Sequence, residues 1–500
     1  MNPETNSQLP VSPFIIHPSI SRRAQADTML EKRFNLPMSK PISLPIHTSS
    51  SRMKIKMKHR QKRRITQITL IVGGFLVFYC FVFLWRTPSS SSKPSPPKQQ
   101  LSQRPLPPEL LNNLSLDEDQ CDAAFPGLTK EIDDAVAEGP FNMKKYSNNQ
   151  GPLQGRIKDG QIYIIHAQRR KDLSAEMSNS RTASLHQLNR ALLTSPSPLP
   201  DTIFTLNFQD TPFGTAWAYS RPAGPILPSK TDTNTNSQRL FLIPHFSFWS
   251  WPLPFIRSLP HATTLISQLE STLPFSSKIP KAVWRGTSWF NSILSPQLRQ
   301  NLIQKTAPHP DLFDVQKLEW TGKNRNATNA LPIQDFCQYK YVIHTEGISY
   351  SGRFQFLQMC RSVVITPPIL WMQHTTHLVK PVFSGELTRK KWEGTERVKG
   401  AWGKGYKAEE ANIVFVKPDW SDLEETVRWL EENQGVAEGI ATRQRELFVG
   451  GGYFSKAAET CYWRALVRGW AKVVRPEGGE EVWHEEGVTF EEFSLTNSLE

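Results

Sequence analysis

Lys340–Thr366 reads KYVIHTEGISYSGRFQFLQMCRSVVIT, and this stretch decides the fold. A β-branched and aromatic run (Tyr341–Thr345) leads into a small polar loop (Glu346–Gly352). An apolar-periodic segment (Phe354, Leu357, Cys360) and a second β-branched run (Val363–Thr366) follow. The pattern predicts strand, loop, helix and strand, the repeating unit of a parallel α/β sheet. In such sheets ligands lie at the carboxyl ends of strands, against the helices that follow. Gly347 and Gly352 allow a close backbone approach, Ser349 and Ser351 offer hydroxyls, and Arg353 opens the predicted helix, an arrangement suited to a phosphate. The alternative is a purely structural loop, with Ser351 as a helix cap and Arg353 paired to Glu346.

Charge points first toward nucleic acid, with a net +13 at pH 7 and a pI near 9.4. Its distribution argues against that partner, because residues 1–64 carry thirteen Lys or Arg against Glu4, Asp27 and Glu31, leaving only +3 for the rest. Directly after this basic tail, Ile65–Leu84 (ITQITLIVGGFLVFYCFVFL) contains no charge and is long enough to cross a bilayer core. The positive-inside rule keeps the amino terminus cytosolic and sends the remaining chain to the lumen. A single-pass type II topology is expected, with residues 65–85 as signal anchor in the lipid bilayer. A cleaved signal peptide fits less well, since the leader is long and no small-residue cleavage site follows. Beyond the anchor lie Cys121, Cys337, Cys360 and Cys461, enough for two disulfides in three connectivities. Asn113 and Asn326 begin two N-x-[ST] sequons there.

The expected organisation is a disordered tail (1–64), the anchor (65–85), a Ser/Pro-rich stem (86–113), an α/β domain (114–275), a second one (276–430), further helices (431–475) and an acidic loose tail (476–500). Arg156–Ile165 (RIKDGQIYII) reads as a hairpin around Asp159-Gly160. Thr202–Phe208 reads as a buried strand whose end presents Asp210, either a general base or an Asx turn before Pro212. Trp249 and Trp251, in a Pro-bounded segment without period, form core or a sugar-stacking wall. Lys281–Thr287 (KAVWRGT) reads as a strand ending in Arg285, Gly286 and Thr287, a second anion contact. Residues 388–410 read as an exposed insertion.

Taken together, these blocks resemble glycosyltransferase family 90, the group of capsule-associated xylosyltransferases and protein O-glucosyltransferases. They occur in the family's order: Asn207–Pro212 (N-x-x-D-x-P), Trp249–Pro252 (WSWP), Trp284–Gly286 (WRG), Glu346–Arg353 (EGISYSGR) and Thr460–Trp463 (TCYW). The resemblance, over Cys121–Val474, implies a GT-B type fold of two Rossmann-like domains across a cleft, and an inverting reaction on a UDP-sugar, xylose or glucose. It implies no cofactor and no obligatory metal, and no D-x-D motif ends a strand. Carried over block by block, Asp210 becomes the catalytic base and Arg285, Gly286, Thr287, Glu346, Gly347, Ser349, Ser351, Gly352 and Arg353 the donor site. Trp249 and Trp251 fall on the acceptor or sugar side, and the disulfides pair as Cys337–Cys360 and Cys121–Cys461. Gln209 stands where animal protein O-glucosyltransferases carry Arg, and the chain ends without their retention tetrapeptide. Both features point to a membrane-anchored fungal-type branch acting on a glycan, rather than to a soluble endoplasmic-reticulum enzyme acting on a protein; the expected protein is a Golgi enzyme with a glycan or glycoprotein acceptor. The competing reading is a lumenal carbohydrate-binding scaffold that keeps the fold without the activity.

Overall fold

The computed structural model describes residues 105–146, 151–224, 239–290, 292–322, 326–403, 405–483 and 487–496. The expected tail, the anchor at 65–85 and most of the stem lie outside the described residues. Among the described residues no helix is long and apolar enough to cross a membrane.

After a single helical turn at Pro108–Leu111 come α1 (Glu118–Ala124) and α2 (Lys130–Ala137), separated at Pro126-Gly127, where Gly127 takes φ 77°. Strands β1 (Leu153–Lys158) and β2 (Gln161–His166) form the expected hairpin. Asp159 and Gly160 both adopt positive φ, 50° and 75°, the turn whose twist matches the flanking strands. After α3 (Ala175–Leu193), capped by the Ser174 hydroxyl, come β3 (Thr202–Asn207), β4 (Ala216–Ala218) and β5 (Leu240–Leu242). β3 runs antiparallel to β1, while β4 and β5 continue parallel to β3. This sheet is therefore mixed rather than Rossmann-like, because a two-residue turn can only join antiparallel neighbours.

The second sheet is parallel throughout. Helix α4 (Leu259–Thr272) leads to β6 (Ile279–Gly286), α5 (Leu298–Thr306), β7 (Phe313–Lys317) and β8 (Tyr339–Ile343). A four-residue α6 (Phe354–Leu357) precedes β9 (Val363–Thr366), then β10 (Pro381–Phe383), α7 (Glu396–Trp402) and β11 (Ile413–Phe415). The strand order is β10-β11-β9-β8-β6-β7. β9 is buried along its whole length, as a central parallel strand covered on both faces must be. Within the expected insertion at 388–410, α7 forms and the Trp402 indole donates to the Ile369 carbonyl at 2.8 Å.

Helices α8 (Leu423–Glu432) and α9 (Gln434–Arg445) belong to the second sheet's core, with Leu423, Val427, Leu430, Ile440 and Ala441 packed on it. The chain returns to the first sheet only with α10 (Lys456–Val473), later than residue 431. There Trp217 stacks on Phe204 at 4.8 Å, and Trp470 meets Trp217 and Phe241 edge-on at 5.6 and 4.9 Å. Burying each Phe ring contributes about 1.5–3 kcal/mol. The Cys121–Cys461 disulfide ties α1 to α10 across 340 residues.

The acidic end is not loose. β12 (Val488–Thr489) adds to the edge of β2, completing the order β12-β2-β1-β3-β4-β5, and α11 (Phe490–Thr496) follows. Phe490 and Phe493, three residues apart, are buried, and the Arg181 guanidinium lies 5.0 Å above the Phe493 ring. Two apolar residues at helical spacing dock the segment despite its acidic composition.

Candidate active site

A cavity of about 710 Å³ opens where the carboxyl ends of β3, β6 and β8 converge, and Asp210, Arg285 and Arg353 all line it. On the β3 side, Asn207 makes the turn. Its Oδ1 accepts the Gln209 amide at 3.0 Å, and its Nδ2 donates weakly to the Thr211 and Phe213 carbonyls at 3.5 and 3.4 Å. The Asx turn thus belongs to Asn207. Asp210 is left to face the cavity, and among the described residues its carboxylate has no hydrogen-bond partner. Its side chain is exposed to the cavity yet stands deep between protein walls, so burial first, and the Glu176 carboxylate second, raise its pKa above the ordinary value. A carboxylate so placed is a stronger base than a surface aspartate.

On the opposite wall, the loop after β8 carries Gly347, Ser351, Gly352 and Arg353 to the cavity, and the end of β6 brings Gly286, with Thr287 next to it, into the same space. The helix after this loop is only α6, four residues long, because the Cys337–Cys360 disulfide and the start of β9 at Val363 follow at once. Its dipole is correspondingly small, so positive potential here comes from side chains. Arg353 donates from Nη1 to the Arg285 carbonyl, while its Nε is buried without a partner. Burial, then the nearby Arg299 charge, pulls its pKa down to about 9.

Arg299 was not singled out by sequence, yet it lines the same cavity. It sits on the buried stripe of α5 with Leu298, Leu302 and Thr306. Its Nε donates to the Glu346 carbonyl at 3.0 Å and its Nη1 to the Thr287 carbonyl at 2.8 Å. Burial lowers its pKa to about 10. A charged residue interrupting the apolar stripe of a helix was the signal available. Among the described residues, neither Arg299 nor Arg353 pairs with a carboxylate. Two adjacent cations, Arg299 buried and Arg353 half-buried, without counter-ions are costly, and an anionic ligand would relieve that cost.

Arg285 differs, since its Nη2 lies 2.9 Å from Asp314 Oδ1 and 3.0 Å from Oδ2. Burial works to raise the Asp314 carboxyl, but hydrogen bonds from Arg285, Tyr339 and Gln316, with the Arg285 charge, outweigh it and hold the pKa below the usual range. The Arg285 charge is therefore largely spent within the protein, while its carbonyl holds Arg353.

The other residues named from sequence divide. Trp251 lines the cavity beside Phe246, Phe255, Trp289 and Trp320. Trp249 does not: its ring stacks on His186 at 4.7 Å, with Arg190 5.1 Å above it. Ser349 is buried and donates to the Asp210 carbonyl, joining the two walls. Glu346 also lies behind the cavity, its Oε1 accepting the Leu370 and Trp371 amides at 2.7 and 2.8 Å. Burial pushes its pKa up to about 8 against the effect of those two bonds. Asn113 and Asn326 are exposed. Among the described residues, the grouping of metal-type ligands is Glu270 with Cys337 and Cys360, and both sulfurs are committed to the disulfide.

Residues 142–384, which include Asp210, Arg285, Arg299 and Arg353, match the model of glycosyl transferase family 90. Protein O-glucosyltransferase 1 of Rattus norvegicus is 24% identical over 289 residues, covering 55% of this chain and 63% of that protein. The O-glucosyltransferase rumi homolog of Aedes aegypti is 26% identical over 294 residues, covering 56% and 63%. O-glucosyltransferase rumi of Drosophila pseudoobscura pseudoobscura is 23% identical over 338 residues, covering 65% and 73%. The chain thus aligns with less than two thirds of the length of the rat and mosquito proteins.

Proposed function

We propose, from the premise that this chain belongs to glycosyl transferase family 90, that it transfers glucose or xylose from a UDP-sugar to a hydroxyl of a glycoprotein, with inversion and without an obligatory metal. The observation that carries this reading is the shared cavity: a carboxylate of raised basicity on one wall faces two uncompensated guanidinium groups on the other. Inverting transfer needs that pairing. The acceptor oxygen loses a proton while it attacks the anomeric carbon, and the diphosphate departs from the opposite face carrying growing negative charge.

Asp210 takes the acceptor's proton, with Asn207 and Ser349 fixing its loop. Arg353 and Arg299 hold the diphosphate, and Gly347, Ser351, Gly352, Gly286 and Thr287 shape the pocket around it. Arg285, paired to Asp314, positions Arg353 through its carbonyl. Trp251 and the neighbouring aromatic rings offer apolar faces to the sugars. On this reading the two sheets are the halves of a GT-B type enzyme and the two disulfides belong to an oxidising compartment. A type II Golgi anchor at residues 65–85 fits the hydropathy and charge of the amino-terminal sequence.

The test combines binding and turnover. The protein is expected to bind UDP in EDTA, and Asp210→Asn to abolish transfer while UDP affinity stays unchanged. Wild-type turnover in Asp210→Asn would overturn the assignment of the base, and no UDP binding by the wild type would overturn the donor reading.

A further inference from the structure

His245 lines the cavity but has no part in the roles above. It immediately precedes the single helical turn Phe246–Phe248, and its ring is buried. The Ser247 backbone N–H donates to its Nδ1 at 3.2 Å, with Ser247 Oγ at 2.8 Å. A backbone amide can only donate, so Nδ1 is the acceptor nitrogen and the proton of the neutral ring resides on Nε2. Burial, then the neighbouring His374, lowers the ring's pKa to about 3, which keeps it neutral across the physiological range. Nε2 lies over Gly352, where a Cβ would stand only 2.4 Å away. Gly352 is thus the residue that admits the imidazole. Among the described residues Nε2 has no acceptor, so a donor of fixed tautomer stands at the cavity without a partner.

Its position identifies the acceptor it awaits. Gly352 adjoins Arg353, on the diphosphate wall. On the other side, the His245 ring is 5.6 Å from that of Tyr350, whose phenol is raised by burial and then by the charge of Asp210. A sugar in transfer occupies the space between its leaving phosphate and the base. We propose that His245 determines donor specificity by donating from Nε2 to one hydroxyl of the transferred sugar, a role that rests on the UDP-sugar reading above. An uncharged, permanently protonated nitrogen suits a hydroxyl, whereas the phosphates already have two cations.

The test uses the full chain with UDP, UDP-glucose and a series of UDP-monodeoxyglucoses. In the wild type, removing one particular hydroxyl is expected to reduce kcat/KM about 10–100-fold, the cost of leaving one buried donor without its partner. His245→Leu should show that loss with the parent sugar, no longer discriminate against the same deoxy analogue, and keep wild-type affinity for UDP alone. Retained UDP affinity also reports that the variant is folded. Should His245→Leu fail to fold, nitrogen-15 spectra of the wild-type imidazole decide the matter: an Nε2–H tautomer is expected that shifts with UDP-glucose but not with UDP. Unchanged turnover or unchanged discrimination in the leucine variant overturns the proposal, as does an imidazole protonated on Nδ1 or indifferent to the sugar. Failure of the wild type to bind UDP is a separate result, and it removes the donor reading and this one together.

Discussion

Replacing Arg299 by Met tests which cations hold the diphosphate. The substitution retains an apolar stem of similar length on the buried stripe of α5 and removes the charge. A hydrogen bond to a charged partner contributes about 1.5–3 kcal/mol, and about 1.4 kcal/mol is a factor of ten in affinity. Loss of one guanidinium contact to the diphosphate therefore weakens UDP about 10–100-fold. The ligand-free protein responds differently. It loses the bonds to the Glu346 and Thr287 carbonyls, which, made by a charged donor, are about 1.5–3 kcal/mol each. It also sheds a cation whose burial brings its pKa down to about 10 and that depresses Arg353 in turn. That penalty is present at every pH below the lowered pKa, so removing the cation offsets the lost bonds throughout the neutral range. The expected result is a melting temperature within a few degrees of wild type and a calorimetric Kd for UDP raised by one to two decades, with uridine much less affected. UDP binding within about threefold of wild type, or equal losses for UDP and uridine, would refute the assignment of Arg299 to the phosphates.

Two further outcomes follow from the carboxylates. Because the base must be ionised, kcat/KM falls as pH drops through the Asp210 pKa, and Glu176→Gln, by removing a raising charge, should move this acid limb to lower pH; an unmoved limb counts against the pair. Glu346, with a folded pKa of about 8 against an ordinary value of 4.5, stays protonated in the fold while the unfolded chain ionises. Stability therefore declines as pH rises from about 4.5 to about 8, and Glu346→Gln should flatten that decline in urea titrations at pH 5, 6.5 and 8.

Local spacing carried much of this protein. The β-branched runs around Val342 and Val364, the Asp159-Gly160 turn and the order of the short blocks were legible because strand, turn and loop chemistry depend on near neighbours in sequence. The placement of Asp210 at a strand end was legible for the same reason. What spacing does not encode is which charges meet. Register brings β7 beside β6, with Val283 opposite Asp314, and thereby delivers a carboxylate to Arg285 from 29 residues away. Arg299, which looks like an ordinary helix residue, is left buried and uncompensated instead. Likewise only packing sends Trp249 to His186 rather than the cavity, docks Phe490 and Phe493, and turns the His245 ring over Gly352. Sequence by itself determined the elements and the kinds of side chain available. Tertiary structure decided which of them are satisfied by the protein and which await a ligand, because charge pairing and desolvation depend on distance in space.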